Sequence, residues 1–191
     1  QVVCQPEFVY WLKGRYRMRE IKRGNIWKQK ADVYVIPTCG VITKAGALVM
    51  GAGAALEAKK RFPSLPMIAT RYLRSEFGLP EKMIRMRGKK AETYNGFVYG
   101  FVGVIGSGAT DKTVGLFQTK IHYSDPARLS LIGHAIVRMN VWLKWLYGFD
   151  EFPSNPKVVM CFPGIGLGGL RRESVLPLLE DLDPSVEIYE L

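Results

Sequence analysis

Two glycine-bearing stretches hold residue types that could do chemistry. Gly51-Ala52-Gly53-Ala54 follows Val49-Met50 and opens a run from Ala55 to Phe62 that Pro63 stops. Pro163-Gly164-Ile165-Gly166-Leu167-Gly168-Gly169-Leu170 follows the apolar run Lys157–Phe162. A glycine turn feeding a helix presents unpaired N–H groups to an anion, usually a phosphate. Without a Cβ, the backbone can bend sharply there or approach another group closely. Two such turns on neighbouring strands could grip a diphosphate from both sides. Taken alone, a GxG turn of this kind is better explained by a helix of small residues packed tightly on a sheet. Neither turn is G-x-G-x-x-G with an acid about 20 residues on. Neither contains Gly-Lys-Ser/Thr, which excludes a P-loop nucleotidase.

Other chemistry is sparse. The three cysteines, Cys4, Cys39 and Cys161, are far apart and form no CxxC pair, and the two histidines, His122 and His134, lack ligand-like spacing to them. A disulfide framework, a metal centre and a cofactor are therefore not expected, and a reducing, cytoplasmic setting is. Lys plus Arg number 27 against 17 acids, a net charge of +10. That surplus favours an anionic partner such as a nucleotide or nucleic acid. No apolar run reaches the roughly 18 residues a membrane helix needs, and no membrane partner is expected.

The elements that must position the glycine turns read as alternating strands and helices. Ala31–Ile36 is a continuous apolar run ended by Pro37, as in a strand buried on both faces. A loop over 38–50 leads to the first glycine turn and its helix. Phe97–Ile105 and Thr113–Thr119 read as strands joined by Gly106–Ala109. A helix follows, capped by Ser124 or Asp125 with Pro126 in its first turn. Leu129, Ile132, Ile136, Met139 and Leu143 form its apolar stripe, and Tyr147-Gly148 ends it. Lys157–Phe162 is another buried strand, and the second glycine turn after it leads to a helix ending near Glu180. Val186–Tyr189 closes the sheet. Phe8–Lys13 and Arg15–Lys22 suit a hairpin. Residues 63–96, broken by prolines, offer only a short helix at Arg71–Phe77 and a basic cluster at Arg85–Lys90. At 191 residues and 48% hydrophobic, the whole chain 1–191 fits one α/β domain.

Val49–Pro63, Gly115–Lys120 and Phe162–Leu170 together resemble the macrodomain, the ADP-ribose-binding fold. Met-Gly-x-Gly-x-Ala followed by Lys-Lys-x-Phe is similar to the branch holding the terminal ADP-ribose protein glycohydrolase and the DNA ADP-ribosyl glycohydrolase antitoxins. The resemblance runs from about Gly24 to Leu191, with a poorly matched insertion at about 63–96. It implies a three-layer α/β/α domain with a mixed central sheet. It also implies ligand contacts from Asn25, Ile26, Thr38, Cys39, Met50, Gly51, Ala52, Gly53 and Ala54. On the far side of the ligand, Gly164, Ile165, Gly166, Leu167 and Gly168 would close over the phosphates and distal ribose. Asn25 stands where the family has an aspartate that accepts from the adenine amino group, and its amide oxygen can still accept there.

The departures bear on activity. Ile36 and Cys39 replace asparagines that would orient the distal ribose or a catalytic water. The final turn, Gly168-Gly169-Leu170-Arg171-Arg172, lacks the aspartate of the protein glycohydrolase. Lys120 in Phe-Gln-Thr-Lys is retained, and the resemblance makes it the catalytic group. Its amine could attack the anomeric carbon or act on the leaving group. A solvent-facing lysine at a strand end is the simpler alternative. Cys39 reads as a small buried residue rather than a nucleophile, and His122 would share a strand face with Lys120. Three functions follow in order: an ADP-ribosyl glycohydrolase acting on a modified macromolecule, with nucleic acid favoured by the charge; a non-catalytic ADP-ribose-binding module; and a basic nucleic-acid-binding domain without the pocket.

Overall fold

A computed structural model describes residues 19–78, 96–105, 112–148, 153 and 155–191. Six strands of the described residues form one sheet: β1 (Ile21–Arg23), β2 (Val33–Cys39), β3 (Phe101–Val104), β4 (Thr113–Lys120), β5 (Val158–Cys161) and β6 (Val186–Glu190). Their order is β1-β6-β5-β2-β4-β3, all neighbours being parallel except the antiparallel pair β3–β4. Among the described residues four helices cover the sheet: α1 (Gly53–Arg61), α2 (Leu65–Phe77), α3 (Leu129–Tyr147) and α4 (Arg172–Leu179).

The near-continuous apolar strands are buried because each face has its own core. On one face Tyr34, Ile36, Leu116 and Val159 meet Ala55, Ala58, Leu65, Ala69 and Leu73 of α1 and α2. On the other, Val35, Phe117, Met160 and Ile188 meet Ile132, Ile136, Met139 and Leu143 of α3 and Val175 and Leu179 of α4. Each fully buried aliphatic side chain contributes ~1.5–3 kcal/mol relative to exposure. The three-layer α/β/α architecture expected from the sequence is the one observed.

Several boundaries differ from expectation. β2 runs through Pro37 to Cys39. Its pairing with β5 involves only Val33–Val35, so beyond Val35 a residue without an N–H is accommodated. The strand expected at Phe97–Ile105 is shorter, because Gly100 turns the chain with φ +74°. Helix α2 is thirteen residues rather than a short piece at Arg71–Phe77. Pro66 lies in its first turn, where a missing N–H costs nothing. Helix α3 begins at Leu129 with Arg128 as N-cap, not at Ser124 or Asp125. The reason is tertiary: Ala127 N–H donates to Gly168 O at 2.8 Å and Arg128 N–H to Thr119 O at 3.0 Å. Those bonds draw residues 127–128 into an extended strap. The expected hairpin lies outside the described residues except for its end. There Ile21–Arg23 pairs in parallel with β6. The basic cluster Arg85–Lys90 and the Gly106–Ala109 turn also lie outside them.

Candidate functional site

The carboxyl ends of the parallel strands open into a cleft of about 920 Å³. Ligands of open α/β sheets bind at this edge, where strand ends and following loops converge. Five strands contribute: the turn after β1 brings Asn25–Trp27, β6 brings Tyr189 and Glu190, β5 brings Cys161 and Phe162, β2 brings Pro37–Cys39, and β4 brings Thr119 and Lys120. The two glycine turns complete the wall through Gly51–Ala54 and Gly164–Gly168.

Both turns present free donors. Ala52 is the N-cap of α1 and has no side-chain oxygen to cap it, so the first-turn N–H groups have no intrahelical acceptor. Among the described residues, the N–H groups of Ile165, Gly166 and Leu167 join no backbone hydrogen bond. The glycines differ in what demands them. Gly53 and Gly166 hold φ of +54° and +59°, a conformation L residues avoid. Gly51 has no such φ, and a Cβ built there meets nothing within 4 Å. Nothing in the protein itself requires glycine at 51, as expected if the space belongs to a ligand.

Of the sequence-predicted residues, Asn25, Ile26, Thr38, Cys39, Gly51–Ala54, Lys120 and Gly164–Gly168 share this cleft. Met50 does not line it. Its side chain is 3% exposed and belongs to the core with Leu48 and Ala55. An apolar residue just before an exposed turn is drawn inward, which the motif alone conceals. His122 also stays off the cleft wall; its Nδ1 lies 2.6 Å from Ser124 Oγ and its ring 4.1 Å from that of Tyr123. Tyr123 and Ser124 reach the cleft instead.

Asn25 departs from expectation in its hydrogen bonding. Its Oδ1 accepts the Trp27 N–H at 2.9 Å and caps the 3-10 turn Ile26–Lys28. One lone pair of the oxygen expected to face a ligand is thus engaged by the turn, and the second remains.

Lys120 reaches across the cleft from β4, and its Nζ donates to Leu167 O at 2.6 Å. A bulge helps to place it: Thr38 pairs with Gln118 but Cys39 pairs with Lys120. Gln118 fixes that bulge from behind. Its Oε1 accepts the N–H groups of Tyr99 and Gly100, while Nε2 donates to the carbonyls of Phe97 and Lys120. The thiols on the cleft floor are not activated. Burial raises the Cys39 thiol, partly countered by backbone hydrogen bonds and Lys120, and raises Cys161 to about 12. Neither is a thiolate near neutrality, which removes the nucleophile alternative for Cys39.

Trp27, Thr119, Tyr123, Ser124, Cys161, Tyr189 and Glu190 line the cleft without having been singled out from the sequence. Trp27 could have been found from its place two residues after the Gly24-Asn25 turn. Tyr189 and Glu190 carry the signal of ending a parallel strand at the ligand edge.

No protein-family model and no curated protein sequence matches the chain. Solved structures do. The macrodomain of Mycobacterium tuberculosis DarG superposes with TM-score 0.55 at 22% identity, over 91% of this chain and 99% of that one. The macrodomain of Thermus aquaticus DarG gives 0.55 at 23% identity over the same shares. The chain has the macrodomain fold. Thermosipho africanus DarTG in complex with ADP-ribose is also similar, with TM-score 0.52 at 19% identity, over 87% of this chain and 39% of that one. The macrodomain sheet places the cleft where the strand ends and both glycine turns meet. Among the described residues no cluster of His, Cys, Asp or Glu could hold a metal ion. None of their helices is long and apolar enough to cross a membrane.

Proposed function

We propose that the cleft binds ADP-ribose and that the protein removes ADP-ribose from a modified macromolecule, with Lys120 as the catalytic group. One observation carries the reading: two rows of free backbone N–H groups line a single cleft, with the Lys120 amine reaching between β4 and the second row. Backbone donors at a helix start and a glycine turn suit the two phosphates of a dinucleotide-like ligand. The similarity to a DarTG structure holding ADP-ribose supports that choice of ligand. The +10 charge favours nucleic acid as the carrier, because phosphate neutralisation gives sequence-independent affinity.

In the reaction, the bond from C1 of the distal ribose to the carrier breaks and its electron pair leaves with the carrier. Water adds its oxygen to C1, and one proton from that water ends on the carrier. Lys120, as an ammonium, stabilises the negative charge developing on the leaving group. The test is release of ADP-ribose from an ADP-ribosylated oligonucleotide by the parental protein and by Lys120→Ala. The reading expects release by the first and none above background by the second.

A second reading, a module that binds without turnover, is favoured by one observation. No carboxylate stands between Phe162 and Leu170 to assist the departing group or activate water. Tight binding by the parental protein without any release would establish it.

A further inference from the structure

Cations from three separate segments converge on the flank that α1 shares with the chain between β1 and β2. Lys28 and Lys30 belong to that chain, Lys59, Lys60 and Arg61 to the last turn of α1, and Lys112 immediately precedes β4. All are exposed except the half-buried Lys112. One aromatic scaffold brings them together. Trp27 stacks on Tyr34 at 5.0 Å and meets Phe62 edge-on at 6.0 Å. The Arg61 guanidinium lies over the same indole at 5.2 Å. Tyr34 Oη donates to Gln29 O at 2.7 Å and accepts the Ala31 N–H at 3.3 Å, which fixes the chain carrying Lys28 and Lys30. Lys112 Nζ donates to Ala31 O at 3.1 Å.

Little on this flank offsets the charge. Glu57 pairs with Lys60 at 3.2 Å, and Asp32 Oδ2 accepts the Lys157 N–H at 2.8 Å. Among the described residues, Lys28, Lys30, Lys59, Arg61 and Lys112 form no ion pair. Cations in the last turn of a helix complement its dipole. That accounts for the α1 residues but not for Lys28, Lys30 and Lys112. A set of unpaired cations suits a chain of phosphates, whose condensed counterions are released on binding. A lipid surface is a poorer match, since none of the large apolar side chains exposed among the described residues lies in these segments to enter it.

We infer that this flank binds the phosphate backbone of a nucleic-acid strand, at a surface outside the cleft and independent of ADP-ribose. The experiment is fluorescence anisotropy of a labelled, unmodified single-stranded oligonucleotide titrated with protein over a range of salt. The proteins are the parental chain, Lys28→Gln/Arg61→Gln on the flank, and Lys44→Gln/Lys144→Gln. The last pair removes the same charge from the loop after β2 and from α3. Because the probe carries no ADP-ribose, a failure of this surface and a failure of the cleft reading are told apart.

Loss of two phosphate contacts lowers the slope of log affinity against log salt by about 1.4 and weakens binding about tenfold at low salt. The Lys44/Lys144 pair changes affinity by less than about threefold, and affinity for free ADP-ribose is the same in all three proteins. No oligonucleotide binding by the folded parental protein at low salt overturns the inference. So does equal weakening by both pairs, which would make net charge alone responsible. Poly-glutamate that competes as well as the oligonucleotide at equal charge overturns the choice of nucleic acid in favour of an acidic protein. Lys30→Gln/Lys59→Gln repeats the comparison without touching Trp27, and decides it if a thermal melt shows the first pair unfolded.

Discussion

Lys120 Nζ and the carbonyl oxygen of Leu167 lie 2.6 Å apart, so the last residue of β4 is tied to the second glycine turn across the cleft mouth. The partner is a backbone atom that no carboxylate replaces, so the amine keeps its charge uncompensated by an ion pair at that contact. Ala127 N–H and Gly168 O make a second tie to the same turn at 2.8 Å. The turn is therefore held even when the lysine is lost. Lys120→Ala should abolish release of ADP-ribose from a modified carrier while leaving the fold unchanged by circular dichroism. Affinity for free ADP-ribose should fall by less than about tenfold, since one exposed hydrogen bond contributes ~0.5–1.5 kcal/mol. Release at the parental rate by Lys120→Ala would refute its catalytic role.

The two glycine turns should respond differently to substitution. At Gly51 an added Cβ meets nothing within 4 Å and the φ is not in the left-handed region. Gly51→Val should therefore remove ADP-ribose binding with a melting temperature close to the parental one. At Gly166, with φ +59°, valine adds backbone strain of order 1–3 kcal/mol. Gly166→Val should lose both affinity and several degrees of melting temperature. A Gly51→Val protein that bound normally would show that the ligand does not pass over α1.

Gln118 is the support behind the bulge. It is fully buried and makes four hydrogen bonds to backbone groups of Tyr99, Gly100, Phe97 and Lys120. Gln118→Leu strands buried donors and acceptors, each costing ~1–3 kcal/mol. Urea titration should show a loss of about 3 kcal/mol or more. A loss below about 1 kcal/mol would mean that water replaces the amide.

The half-buried Cys161 thiol gives a pH dependence of definite sign. Cys161 titrates near 9.0 when unfolded and at about 12 when folded, because burial disfavours its thiolate. Its contribution to stability is fully present below the unfolded value and is lost as pH rises from there through the folded value. Stability should decline between those limits, and Cys161→Ala should flatten that decline. In the native protein at neutral pH, both Cys39 and Cys161 should react with iodoacetamide far more slowly than in urea. Equal rates in the two states would show that the cleft floor is open.

Much of this arrangement was legible in the residues. Continuous apolar runs disclosed β2 and β5 because strands buried on both faces need no polar alternation. The glycine turns and Lys120 were legible from their types and order. What was hidden depended on tertiary contacts. The strap at 127–128 overrides the helix signal of Pro126 because two backbone bonds to Thr119 and Gly168 outcompete it. Pro66 marked a break but sits where a helix tolerates it. The capping role of Asn25 toward the Trp27 N–H also depended on the turn the chain makes there. Met50 belonged to the motif in sequence and to the core in space.

The central claim is that one cleft, built from both glycine turns, holds ADP-ribose. Isothermal titration of the parental protein with free ADP-ribose tests it without reference to turnover. Saturable binding at one site, lost in Gly51→Val, is the expected result. No heat of binding and no thermal shift at millimolar ADP-ribose, from a protein shown to be folded, would contradict it.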